Sequence, residues 1–138
     1  MKLSKKFIYI YIYIIMSMSQ VNLMHILLLG PSMFYIGSLD DDKLSNLDNK
    51  NIDLVFNIVT AYSLLIPFIV RNQFIKNSMS EWSTRNWINF IHYALFIGLL
   101  YYIGIKGRTI SQNWRYFALL LGISIVNIHI YYLLIHIH

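Results

Sequence analysis

The chain has 138 residues, of which 57% are hydrophobic and 12% are charged, with a mean hydropathy of +0.54 and a net charge of +5. An average soluble domain carries about 25% charged residues, so this composition is typical of a membrane protein. The basic residues form no stripe with interleaved aromatic residues, so we expect no nucleic-acid partner. Cysteine is absent, which excludes a disulfide framework, a thiolate metal site and a cysteine nucleophile.

Residues 1–19 form a low-complexity extension with a strict Ile/Tyr alternation at 10–14. A run of alternating A and T encodes such a sequence, so we expect a dispensable extension and a true start at a later methionine such as Met16. Two alternatives stay open. Basic residues before a short apolar run resemble a signal or anchor segment, and one long first helix over 7–37 is the other possibility.

Four apolar stretches follow, each near the roughly 20 residues that cross the hydrocarbon core of a bilayer. Tryptophan and tyrosine residues fall near the ends of these stretches, where amphipathic rings settle at the headgroup level. All six acidic residues lie in the polar intervals, as lipid requires of groups that are costly to bury. The predicted fold is therefore an all-α integral membrane protein with transmembrane helices over 20–37, 54–70, 87–105 and 115–135.

A repeated phrase organises these helices. VNLMHILLL at 21–29 returns 67 positions later as INFIHYALF at 88–96, and Tyr-Ile-Gly closes both stretches, at 35–37 and 102–104. Because the first and third spans match in the same direction with one span between them, the sequence predicts a parallel internal repeat of two similar membrane hairpins.

The repeat divides the chain into a first hairpin at 20–71, a polar basic connector at 72–86 and a second hairpin at 87–138. The second halves of the hairpins match more weakly, with Phe56 opposite Phe117 after a loop that is six residues shorter. Because both hairpins then have the same orientation, their two internal loops are expected on the same side of the membrane.

Two polar pairs recur within the spans: Asn22 and His25 return as Asn89 and His92, each pair on one helix face. Hydrogen bonds of this kind between membrane helices contribute on the order of 0.6 to 2 kcal/mol, and helix packing is the preferred interpretation. The alternative is a bis-His site for haem or a metal, because neutral imidazole is a favoured ligand, with His129 as a further candidate. We predict no metal site and no cofactor, with haem as the less favoured possibility.

Two prolines, Pro31 and Pro67, interrupt the first and second predicted helices and are expected to kink them. In transporters, broken helices mark the binding site, which makes a small pore or carrier an alternative function. A tolerated kink is the preferred interpretation, because proline is common in membrane helices. The polar side chains that could line a pore are Asn57, Thr60, Ser63, Ser124 and Asn127.

Asn22-x-x-His25 followed by Gly30-Pro31 resembles the opening of small uncharacterised multi-span proteins of nucleocytoplasmic large DNA viruses, mimivirus-like members in particular. The likeness covers about two dozen residues of a short apolar motif. It implies a viral membrane protein, of the internal virion membrane, with no assigned chemistry. The third span lacks Gly-Pro, which leaves open whether the second hairpin has the same role.

The sequence thus predicts a structural or assembly component of a membrane, with no catalytic residue and no enzymatic activity. Its expected partners are the lipid bilayer and other membrane proteins or a second copy of itself. Its expected location is multi-pass in a membrane, and the resemblance implies a host internal membrane or the virion membrane. The alternative functions are a small pore or carrier, and a membrane cytochrome built on His25 and His92.

Overall fold

The computed structural model describes residues 22–75 and 84–136, and within them leaves out the side chains at 67–75, 84–86, 88, 89, 92 and 136. The predicted extension at 1–19 lies outside these residues. The regular secondary structure of the described part is all helical, with no strand, as the sequence predicts. Each of the four predicted apolar stretches is helical in its described part.

Three of the helices extend beyond the apolar stretches that predicted them. The helix of the second stretch runs to Ile75 and that of the third begins at Thr84, so both extend into the predicted connector. A 3-10 turn, Gly107–Thr109, follows the third long helix. The helices in chain order are α1 (Asn22–Gly37), α2 (Asp41–Ser45), α3 (Lys50–Ile75), α4 (Thr84–Lys106) and α5 (Gln112–His136).

One of the described helices, Gln112–Ile135 within α5, is long and apolar enough to cross a membrane by length and composition. The helix Asn22–Gly37 is apolar but shorter. The other three predicted spans are not shown by this criterion among the described residues, and four spans stay a prediction.

The first and last long helices pack against each other, as do the two middle ones. α1 lies against α5 and, over a smaller area, against α3, while α3 lies against α4. The largest interfaces thus join one predicted hairpin to the other, and the contacts within each hairpin are smaller. This arrangement brings residues from the two ends of the sequence together.

Glycines allow the backbones of α1 and α5 to approach closely. A methyl group on Gly122 would lie 2.8 Å from the backbone nitrogen of Phe34 and 2.9 Å from the carbonyl oxygen of Gly30. At Gly37 it would lie 2.7 Å from the backbone nitrogen of Leu119. Small residues at such contacts are the usual basis of helix association in membranes, where burial of apolar surface supplies little driving force.

A similar contact joins the two middle helices. A methyl group on Gly104 of α4 would lie 2.8 Å from the backbone nitrogen of Thr60 of α3. Gly98, on the same helix, faces open space, since nothing lies within 4 Å of such a group there. Gly104 is therefore required by packing, whereas Gly98 is not.

Large apolar side chains lie on both the inside and the outside of the bundle. Met33 and Ile36 of α1 and Ile103 of α4 are fully buried. Leu27 of α1 and Leu120 of α5 are 66% and 64% exposed. An exterior of exposed leucine and isoleucine is unusual for a soluble bundle, whose outer face is polar.

Pro31 deforms the first helix without breaking it. The residues before it, His25–Leu29, form a π-helical turn in which the backbone N–H of Gly30 donates to the carbonyl of His25, and α-helix resumes at Gly30. Proline has no N–H to donate and its ring crowds the preceding turn, so a widened turn on its N-terminal side accommodates it. Pro67 lies within the helical range of α3, and its side chain is outside the described part.

Candidate functional site

Four polar residues from three helices meet inside the bundle: Asn22 and His25 of α1, Tyr62 of α3 and His129 of α5. We call them the imidazole cluster. The rings of His25 and His129 are stacked, with centroids 4.0 Å apart and planes at 27°. The ring of Tyr62 meets that of His25 edge to face at 5.3 Å. The cluster therefore links the first, second and last of the long helices.

Hydrogen bonds fix both imidazoles at their Nδ1 atoms. His129 Nδ1 lies 2.8 Å from Oδ1 of Asn22, and because an amide oxygen only accepts, His129 donates there. The hydroxyl of Tyr62 lies 2.9 Å from Nδ1 of His25, and it can either donate or accept. Asn22 is only 4% exposed, so its amide would be costly to bury without this partner.

A haem held between His25 and His129 does not fit this geometry. Axial ligands of one haem stand on opposite faces of the macrocycle, and two imidazoles stacked at 4.0 Å leave no room for it between them. Among the described residues there is also no group of three or more metal-ligating side chains. The predicted counterparts Asn89 and His92 lie in α4 with side chains outside the described part, so their pairing with His25 stays a prediction.

The polar residues proposed as a pore lining do not converge. Asn57, Ser124 and Asn127 are exposed on the outside of the bundle. The hydroxyls of Thr60 and Ser63 donate to carbonyls of their own helix, those of Phe56 and Thr60 respectively. Hydroxyl groups bonded in this way are satisfied within the helix and present no donor to a solute.

Pro31 does border a concave surface. A groove of about 560 Å³ runs along the outside of α1 and α5, with Pro31 and Phe34 on one side and Ile123 and Val126 on the other. Its lining is mainly apolar, with Asn127 and Ser38 as polar exceptions. The groove is open to the surroundings of the bundle.

The second polar site is the loop end, where the loop at 38–53 meets the turn at 106–113. Arg108 lies at its centre and uses all five of its donors. Nε and Nη2 donate to the carboxylate of Asp53 at 2.7 and 3.0 Å. The remaining N–H groups donate to the carbonyls of Leu44, Asn46 and Asn49 at 2.8 to 2.9 Å.

A second arginine also connects the two loops. Arg115, at the start of α5, is 4% exposed, and its Nη2 donates to Oδ1 of Asp41 at 2.6 Å. Its Nη1 also donates to the carbonyl of Ile110 at 3.4 Å. Together, Arg108 and Arg115 tie the first loop to the second, so both loops lie at the same end of the bundle.

The loop end also shifts the ionisation of its carboxylates. The hydrogen bond and charge of the Arg108 guanidinium lower the pKa of Asp53, and Asp53 in turn raises the pKa of Arg108. Asp40 caps the short helix α2 by accepting from the backbone N–H of Lys43 at 2.7 Å, which lowers the pKa of that carboxyl.

Sequence reasoning did not identify Tyr62 or Arg108 as site residues. Tyr62 lies between Val59 and Ile66 on the buried face of α3, a position at which a tyrosine needs a partner for its hydroxyl. Arg108 follows Gly107, the described glycine with a positive φ, in a turn predicted on the same side as a loop rich in aspartate. The opposite charges of Arg108 and the aspartates of the first loop were therefore the sequence signal that the two segments are in contact.

Comparison with known proteins finds no matching family, no matching curated protein and no matching solved structure.

Proposed function

We propose that this protein is a structural or assembly component of a membrane, inserted through four helices that form two similar hairpins. In this proposal it has no catalytic activity, and its partners are lipid, other membrane proteins or further copies of itself. The resemblance of its first span to viral multi-span proteins supports a viral membrane as the proposed setting.

The distribution of charge is the observation that carries this proposal. The segments 22–39, 54–70, 87–105 and 116–135 contain no Asp, Glu, Lys or Arg. The charged side chains that the structure describes are gathered at the loop end. Helices with apolar exteriors and charge confined to one end suit a bilayer, in which a charged group at the centre is expensive.

The glycine contacts support the two-hairpin arrangement. Gly37 and Gly104 are equivalent at the offset of 67, and they approach Leu119 and Thr60 respectively. Leu119 and Thr60 are themselves equivalent if α3 is aligned with α5 at an offset of 59 residues. With this alignment, the glycine of each hairpin contacts the equivalent residue of the other hairpin.

The burial of α3 and α5 supports the same offset of 59. It pairs buried residues with buried ones, as in Val59 with Ala118 and Ile66 with Ile125, and exposed ones with exposed ones. The offset of 61 expected from sequence pairs the buried Phe56 with Phe117, which is 38% exposed. We therefore infer that the second loop is eight residues shorter than the first, two more than the sequence match indicated.

Membrane insertion is tested by cysteine labelling, because the chain has no cysteine of its own. Ser45 and Ser111 are exposed, one in each loop, and Ser78 lies in the predicted connector. In sealed vesicles, Ser45→Cys and Ser111→Cys should react with a membrane-impermeant maleimide from one side, and Ser78→Cys from the other. Release of the protein by alkaline carbonate, or labelling of Ser45→Cys and Ser111→Cys from opposite sides, would contradict the proposal.

The assembly role is tested on the membrane in which the protein resides. Crosslinking and quantitative mass spectrometry of that membrane should find the protein in a fixed stoichiometry with other membrane components or with itself. Reconstituted vesicles should show no flux of ions or small solutes above that of empty vesicles. Flux that depends on the protein would favour the pore or carrier instead.

A further inference from the structure

The two arginines of the loop end differ in how fully the protein uses their donors. Arg108 donates all five N–H groups to described acceptors. Arg115 donates from Nη2 to Asp41 at 2.6 Å and from Nη1 to the carbonyl of Ile110 at 3.4 Å. No described residue accepts from its Nε or from the second N–H of either Nη. The described residues therefore saturate Arg108 but not Arg115.

Burial makes this shortage costly. The side chain of Arg115 is 5% exposed, and a guanidinium removed from water needs hydrogen bonds to compensate for its lost hydration. Asp41, the carboxylate partner, is 87% exposed and offers a single oxygen to the arginine. A purely structural role is served better by a full set of acceptors, as at Arg108, or by an apolar side chain.

A cavity of about 260 Å³ lies beside this arginine, and we call it the Arg115 cavity. It is lined by Asp41, Leu44, Ser45, Arg108, Thr109, Ile110 and Arg115. In the part of the chain that the structure describes, no enclosed side-chain nitrogen lacks a partner, so Nε of Arg115 must reach accessible space. The Arg115 cavity is space of this kind next to the guanidinium.

A phosphate group suits these donors. Its terminal oxygens can accept from Nε and Nη2 of Arg115 together, which the single oxygen of Asp41 does not do. Arg108 adds a second positive charge at the cavity wall. The hydroxyls of Ser45 and Thr109 now donate to carbonyls three residues before them, and they can rotate to donate to a phosphate instead. The volume holds a phosphate together with several water molecules.

The residues beside Arg115 indicate where such a phosphate could come from. Trp114 and Tyr116 flank it in the sequence, and Tyr116 is exposed on the outside of the bundle. Aromatic side chains of this kind are enriched at the headgroup level of a bilayer. Basic pockets between membrane helices bind anionic lipid headgroups. If the chain spans a membrane as proposed, the Arg115 cavity therefore lies at the level of the lipid phosphates.

We propose that the Arg115 cavity binds a phosphate group, carried by an anionic lipid or free in solution, and that this phosphate replaces Asp41 at the guanidinium. Asp41 can leave at little cost, because its side chain is already largely in water. The lipid as the source of the phosphate rests on the proposed function, whereas the binding site itself does not.

The test uses the full-length protein in a non-ionic detergent and three probes. Native mass spectrometry counts bound phosphatidic acid and phosphatidylcholine, and calorimetric titration measures inorganic phosphate. We expect one phosphatidic acid to be retained in preference to phosphatidylcholine, whose phosphate is covered by choline. Binding of inorganic phosphate without a preference between the lipids would assign the site to free phosphate. Equal retention of both lipids with no binding of inorganic phosphate would overturn the proposal.

Three variants show whether Arg115 and Asp41 are responsible. Arg115→Gln should weaken binding of the retained probe by at least about tenfold, the factor expected when a hydrogen bond to a charged group is lost. Asp41→Asn removes the competing charge while its amide oxygen can still accept from Arg115, so it should strengthen binding several-fold. Lys50→Gln, an exposed change that removes one positive charge from the same end, should leave the affinity unchanged. Unweakened binding by Arg115→Gln, or weakened binding by Asp41→Asn, would overturn the proposal.

A further measurement does not depend on the variants folding. In the unsubstituted protein, the nitrogen-15 resonance of Arg115 Nε should shift when the retained probe is added, and an unchanged resonance would overturn the proposal. The cysteine labelling described above separates this inference from the proposed function. Insertion without binding of any probe would contradict the Arg115 cavity alone. Binding of inorganic phosphate through Arg115 without insertion would contradict the membrane role alone.

Discussion

The loop end and the helix interior are held together by different kinds of contact. At the loop end, Arg108 and Arg115 use charge-assisted hydrogen bonds to carboxylates and backbone carbonyls. In the interior, glycines bring backbones together, and one small polar cluster links three helices. Ion pairs occur where the carboxylate partners reach water, and close packing of backbones occurs in the interior.

This difference has an energetic consequence. The carboxylates of the loop end are exposed, at 53% for Asp53 and 87% for Asp41, so solvent weakens these ion pairs although the two arginine side chains are largely buried. A close backbone contact depends on the absence of a single methyl group, and no solvent can compensate for its insertion. We therefore expect substitutions in the interior to have larger effects than substitutions at the loop end.

The largest effect is expected at Gly37. Gly37→Ala places a methyl group against the backbone of Leu119 and should destabilise the bundle by about 1–3 kcal/mol. Gly98→Ala is the matched control on an open helix face, and it should be neutral or stabilising by up to about 1 kcal/mol. Thermal unfolding in detergent, followed by circular dichroism, measures both. Equal midpoints for the two variants would show that the α1–α5 interface is not closely packed.

At the loop end, Arg108 should be the most sensitive residue. Arg108→Lys keeps the charge but loses the planar fork that reaches Asp53 and three carbonyls together, so it should lower the thermal midpoint nearly as far as Arg108→Ala. Lys50→Ala, an exposed change in the same loop, is the control and should leave the midpoint unchanged. Full rescue by lysine would mean that charge alone is required.

Removal of one hydrogen bond from the imidazole cluster should have a smaller effect than the methyl group at Gly37. Tyr62→Phe deletes the hydroxyl that bonds His25 and should cost about 0.6–1.7 kcal/mol, between the average and the largest value measured for such bonds between membrane helices. Unfolding in a mixed-detergent titration measures the loss. Tyr131→Phe on the exposed face of α5 provides the comparison and should have no effect. A larger loss than this range would indicate that the whole cluster is disrupted.

The smallest effect is a dependence on acid at the loop end. Because Arg108 lowers the pKa of Asp53, this pair stabilises the folded state fully above the usual aspartate value near 3.9 and loses its contribution as the pH falls through the lower folded value. The thermal midpoint should therefore decrease below about pH 4. Asp53→Asn should weaken that decrease, whereas Asp48→Asn, an exposed change nearby, should preserve it. An identical acid profile for Asp53→Asn and the unsubstituted protein would exclude the pair as its source.

The sequence predicted the all-helical class, the positions of the four apolar helices and the two loops that the structure joins. It predicted these because apolar runs, punctuated by polar intervals, report directly on local structure. Sequence reasoning named His25 and offered His129 only as a further candidate ligand, since a stacked pair depends on how α1 and α5 meet. The offset of 59 residues inferred for α3 and α5 differs by two from the offset read from the sequence, because leucine and isoleucine repeat too often for their identity to fix a register.

The pairing of α1 with α5 also determines when the protein can finish folding during synthesis. Gly30 and Gly122 are 92 residues apart, so at roughly 5 to 20 residues per second the ribosome needs about 5 to 18 seconds between making one and making the other. Throughout that interval the glycine face of α1 has no partner from α5. A nascent chain is therefore most vulnerable to competing helices, or to recognition by quality-control factors, until its last helix emerges.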